Sequence, residues 1–120
     1  MSGYKELRIY KEAHRLGVII HKFSLKLPKF EIYETGSQIR RSSKSISANI
    51  VEGYGRRRYK ADYVKFLVFA QASCDETSEW LTYIHDLYDD MEAAAEKLLS
   101  EIDHLGRQIN VFIQAIENRD

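Results

Sequence analysis

The sequence predicts an all-α protein, an antiparallel up-down-up-down four-helix bundle, and three observations carry that prediction. Apolar residues recur at alternating spacings of 3 and 4 through long stretches of the chain. The only proline, Pro28, falls between two such stretches rather than inside one. Connections of roughly 3 to 6 residues then favour antiparallel neighbours. Two long hairpins crossing at an angle are the structural alternative.

The first helix is expected from about residue 4 to 27, with Ile9, Ala13, Leu16, Ile20, Phe23 and Leu27 as its apolar stripe. Pro28 marks its exit, because the residue before a proline is pushed out of the α region. A second helix, from about 31 to 54, has a narrower line through Ile32, Ile39, Ile46 and Ile50. Beside that line runs a polar row of Gln38, Ser42, Ser45, Asn49 and Glu52. Ser42, Ser43, Ser45 and Ser47 let another backbone approach closely but weaken intrinsic helicity, so packing must supply part of the stability. Gly53 and Gly55 suggest the terminus.

The third helix, from about 60 to 89, is traced by Tyr63, Phe66, Ala70, Ser73, Thr77, Trp80, Ile84, Leu87 and Met91, broadened by Leu67, Leu81 and Tyr88. The fourth, from about 92 to 118, has the cleanest pattern: Ala95, Leu98, Ile102, Leu105, Ile109, Phe112 and Ile116. An apolar surplus of Val18, Ile19, Tyr33, Val51, Val64, Val68, Val111 and Ile113 does not fit on one inward face of each helix, which is a reason for self-association.

The 120 residues are expected to form a single domain, 1–120, which excludes an enzyme with separate cofactor and substrate lobes. Cys74 is alone, so neither an intrachain disulfide nor a metal site on several of the chain's own thiolates can form. No run reaches the length of a membrane span, and Lys5, Glu6, Arg8, Lys11 and Glu12 interrupt any leader-like apolar segment. The expected address is the cytoplasm. Net charge is zero, yet residues 1–60 hold 14 Lys and Arg against 5 Glu, and residues 61–120 hold 4 against 13 Asp and Glu. A balance of +9 beside one of −9 suits either a nucleic-acid surface or pairing of basic with acidic helices.

Arg41, Ser45, Asn49 and Glu52 lie near one helical face, and Ser73 and Glu76 of the third helix can join them in a structural polar network. Glu52 and Glu76 lie beside no recognisable nucleophile motif, so no catalytic residue and no enzyme activity are expected. A di-iron bundle needs two Glu-x-x-His pairs, whereas Glu101–His104 stands alone; His14, His21 and His85 read as flank or rim residues. Neither a metal nor any other cofactor is expected. Gly53–Tyr54–Gly55 lacks the spacing of a phosphate-binding loop. Arg56, Arg57, Arg58 and Lys60, with Arg40 nearby, are the candidate contacts to RNA or DNA, with Tyr54 and Tyr59 available for stacking.

The run from Ser37 through Gln38, Ile39, Arg40 and Arg41 to Ser42, followed by Ser45, Ile46, Asn49, Ile50, Glu52, Gly53 and Arg56, resembles the four-helix-bundle proteins encoded within intervening sequences of bacterial 23S ribosomal RNA genes. The likeness extends through Phe66, Leu67, Ala70, Ser73 and Glu76, except that Ala72 stands where glycine is usual. The resemblance implies a homo-oligomer, preferentially a pentamer with a dimer next, with no settled biochemical role. It also implies kinship in fold with accessory proteins of diversity-generating retroelements, basic pentameric barrels that engage nucleic acid and a reverse transcriptase. The ribosomal label reflects the position of some of the genes.

Overall fold

A computed structural model describes residues 3–119 of the protein. A 3-10 turn at Tyr4–Glu6 precedes α1 (Arg8–Ser24), and the two are separated at Leu7 by extended backbone with φ −66° and ψ 128°. The first predicted helix is therefore interrupted near its start, and it ends before Pro28 in successive turns closed by Leu25, Lys26 and Leu27 N–H groups.

The second predicted helix is also divided, into the single turn α2 (Lys29–Ile32) and the long α3 (Thr35–Gly55). Glu31 explains the break. Its buried carboxylate accepts the Thr35 backbone N–H at 3.2 Å and the Tyr88 hydroxyl at 2.6 Å, capping the first turn of α3 from outside that helix. Helices α4 (Lys60–Leu87) and α5 (Glu92–Glu117) follow, joined through a 3-10 turn at Asp89–Met91.

The four long helices close a ring in chain order. Helix α1 packs on α3 and α5, α3 on α4, and α4 on α5, within an envelope of 49 × 22 × 20 Å. This is the up-down bundle, with no strand among the described residues. Leu16, Ile20, Ile39, Ile46, Ile50, Leu67, Leu81, Ile84, Ile102, Leu105 and Ile109 are fully enclosed at its centre. Each such side chain contributes roughly 1.5–3 kcal/mol by leaving water.

Two helices turn differently from the expected faces. The buried row of α4 is Tyr63, Leu67, Ala70, Cys74, Thr77, Leu81 and Ile84, whereas Phe66, Ser73 and Trp80 are half-buried and Leu87 is exposed. The predicted inner side merges two adjacent rows of the same period. On α5, Ile113 is buried and is no part of an outward surplus, while Phe112 is partly exposed and packs edge-on against Tyr63 at 6.0 Å.

No described glycine has positive φ; α3 ends at Gly55, as expected, and Gly53 lies inside its last turn. A Cβ at this position would lie 3.2 Å from Phe66 Cβ and 3.3 Å from the Tyr63 carbonyl, so glycine brings α3 close to the start of α4. Ala72, by contrast, is exposed and lies at no helix crossing within the chain. None of the described helices is long and apolar enough to cross a membrane.

Candidate functional site

The polar row of α3 and the second row of α4 share one side of the bundle. Their seam is held by two rungs of hydroxyls. Ser42 and Thr77, both buried, are hydrogen-bonded at 2.9 Å, and Ser45 bonds to Ser73 one turn further along. The Thr77 hydroxyl also lies 2.8 Å from the Ser73 carbonyl, and Asn49 Nδ2 donates to the Ser45 carbonyl at 2.9 Å. Small hydroxyl residues thus allow close packing and satisfy one another inside it, avoiding about 1–3 kcal/mol for each group otherwise left without a partner.

The six residues expected to form one polar network fall into separate groups. Ser45, Asn49 and Ser73 meet at the seam. Glu52 is exposed and accepts Arg56 Nε at 2.7 Å; Glu76 is exposed and accepts Trp80 Nε1 at 3.1 Å. Arg41 is exposed and forms no ion pair among the described residues. The polar groups lie along one face, but no continuous bonded chain connects them.

Aromatic groups flank this polar strip on α4. Phe66 and Phe69 meet edge to face at 5.4 Å, and Trp80 and Tyr83 lie 6.0 Å apart. Phe69 is 45% exposed, Tyr83 49% and Leu87 57%. The Arg56 guanidinium sits 4.9 Å above the Phe66 ring while also reaching Asp62 at 3.7 Å. Glu52 is the foremost reason that the Arg56 pKa lies above its ordinary value. At the opposite end, Tyr33, Glu34, Thr35, Gln38 and Trp80 border an open groove of about 410 Å³.

The predicted nucleic-acid residues occupy different environments. Arg40 turns inward, donating to Ser24 Oγ at 2.8 Å and to the Ile32 carbonyl at 2.9 Å. Gly36 makes room for it, because a Cβ there would lie 3.0 Å from Arg40 Nη1. Arg56 is engaged by two carboxylates, and Lys60 Nζ donates to the Arg119 carbonyl at 2.6 Å. Arg57 donates to the Tyr54 carbonyl and lies 3.9 Å above that tyrosine ring. Arg58 lies 5.8 Å above Tyr59, and both arginines are exposed.

The arrangement contains no poised nucleophile. Cys74 is enclosed, and burial together with Asp75 pushes its thiol up to about 12, so at neutral pH it is a small apolar core residue. Sequence reasoning missed the Ser42–Thr77 rung and the internal anchoring of Arg40, since each depends on which neighbour a side chain meets. An aromatic row one residue out of phase with the α4 core row is visible in the sequence, but the same helical period fits both rows and does not separate them.

The model of the 23S rRNA-intervening sequence proteins matches residues 5–111. The chain belongs to that family. Its members are known as non-catalytic structural proteins. The match takes in both rows of the α3–α4 face and all of the Arg56–Arg58 corner. No curated protein matches the chain.

Proposed function

We propose that this intervening-sequence protein is a nonenzymatic homo-oligomeric structural or interaction protein of the cytoplasm, with subunits meeting through the α3–α4 face. The carrying observation is the second row of α4: Phe66, Phe69, Trp80, Tyr83 and Leu87 follow the core period, with Phe69, Tyr83 and Leu87 exposed and Phe66 and Trp80 half-buried at the edge of the core. Aromatic residues and arginine around a polar strip suit a protein interface, whereas an isolated subunit would leave that apolar area in water. Helix α1 lies diagonally across the ring from α4 and exposes Val18 and Ile19. Two different apolar surfaces on opposite helices suit a closed head-to-tail ring. A pentamer is the preferred size because of the family resemblance, with a dimer next.

Light scattering over a range of concentrations tests this reading. A mass near five times 14.0 kDa is expected; a persistent 14.0 kDa species at high concentration would refute self-association. High salt should loosen the assembly only where exposed pairs such as Arg56–Glu52 contribute to the seam.

Nucleic-acid binding is a second reading, favoured by the exposed Arg57 and Arg58 guanidinium groups lying over Tyr54 and Tyr59. Such pairs can contact phosphate while offering a stacking surface. Binding to RNA or DNA should weaken with salt and after joint Arg57→Ala and Arg58→Ala substitution. Unchanged mobility shifts in the double variant would eliminate this corner as the contact.

A further inference from the structure

We propose that the corner between α4 and α5 binds a divalent transition metal ion through His85, Glu92 and Glu96, with zinc as its probe. His85 lies in the last turn of α4, while Glu92 and Glu96 stand four residues apart at the start of α5 and share a helix side. One ligand atom from each residue lies within 4.8 Å of the other two. An ion at ordinary zinc–nitrogen and zinc–oxygen distances requires only small side-chain adjustments from that spacing.

The imidazole is already oriented for this use. Its Nδ1 faces Asp86 Oδ1 at 2.8 Å, and its Nε2 faces Glu96 Oε1 at 3.0 Å. With the Nδ1 proton held by Asp86, the Nε2 lone pair is directed toward the α5 carboxylates. A carboxylate behind a ligating histidine fixes the tautomer and raises the basicity of the coordinating nitrogen. In the protonated histidine, the Nε2 proton occupies the position that a metal would take.

Residues 85–96 contain Asp86, Asp89, Asp90, Glu92 and Glu96 and no lysine or arginine. That local charge favours a cation, while the imidazole favours zinc, copper or nickel over magnesium and calcium. Three protein ligands leave a coordination position for water. Binding would tie the end of α4 to the beginning of α5 and favour the folded chain by mass action. Its ligands come from two helices, so the Glu-x-x-His spacing sought along one helix could not reveal it.

Calorimetric titration of the chelator-treated full chain with zinc chloride at neutral pH tests the assignment. One zinc per chain and a saturable rise in melting temperature are expected. His85→Ala and Glu96→Gln should each weaken zinc binding by about tenfold or more, and Asp86→Asn by about tenfold through loss of histidine orientation. His104→Ala, an exposed histidine elsewhere on α5, should retain wild-type affinity. Circular dichroism establishes that each variant remains helical. Absence of saturable zinc binding, unchanged affinity in helical His85→Ala, or an equal loss in His104→Ala would overturn the site. Equally tight calcium binding in the wild type and His85→Ala would reduce it to an acidic patch and also overturn the assignment.

Discussion

Helices α4 and α5 bury seven residues each, yet their remaining surfaces differ in kind. Outside its core row, α5 carries mainly acids, amides and small residues, with Val111 as its large exposed aliphatic side chain. Helix α4 carries a second apolar row, displaced by one residue from the first, together with Ser73 and Glu76. Equal burial therefore does not imply equal roles. The α5 pattern serves the bundle, whereas α4 has enough apolar surface to serve both the bundle and a partner.

The largest effects should fall on the feature the helices share. Leu81→Ala and Leu105→Ala remove fully buried side chains from α4 and α5, and each should cost about 3 kcal/mol in urea unfolding at one protein concentration. Comparable losses would establish equivalent core faces; a negligible loss at Leu81 would place the principal α4 row elsewhere.

The two helices differ most at their exposed surfaces. Phe69→Glu should convert the assembly to a helical 14.0 kDa species, whereas Val111→Glu on α5 should leave its mass unchanged. Light scattering combined with circular dichroism distinguishes these outcomes. The reverse pattern would move the seam to the α5 flank.

A smaller effect should arise where Tyr88, just beyond α4, meets Glu31. The Tyr88 hydroxyl and then Thr35 stabilise the Glu31 carboxylate, lowering its pKa below 4.5. The same hydrogen bond pushes Tyr88 up to about 12. Because the folded carboxyl is the stronger acid, its stabilisation is present above 4.5 and disappears as the pH falls through its folded value. Glu31→Gln should therefore cost about 1–2 kcal/mol at neutral pH, with the difference from wild type narrowing in acid. A constant difference across that range in paired denaturation curves would remove the ionised carboxylate from the account.

Thr77→Val should have the smallest effect, about 1 kcal/mol, because it preserves shape while removing the hydroxyl rung to Ser42. Unfolding curves should show the loss without an immediate change in oligomer mass. A selective loss of assembly would instead make this rung a determinant of the α3–α4 surface.

Four helices, their approximate ends and most of the core were legible in the residues alone, because apolar period and proline position act locally. Ile9 through Phe23 and Ala95 through Ile109 follow that pattern into the interior. The sequence also displayed the polar row of α3 and the resemblance carried by that row. Tertiary structure decided which of two similar α4 rows entered the core, because Phe66 and Leu67 are both apolar and neighbouring positions cannot face the same partners. It also turned Arg40 inward to Ser24 and Ile32, joined Ser42 to Thr77, and brought His85 beside Glu92 and Glu96. Helical periodicity gives a residue its angle around one axis; the crossing and length of neighbouring helices determine which groups it reaches.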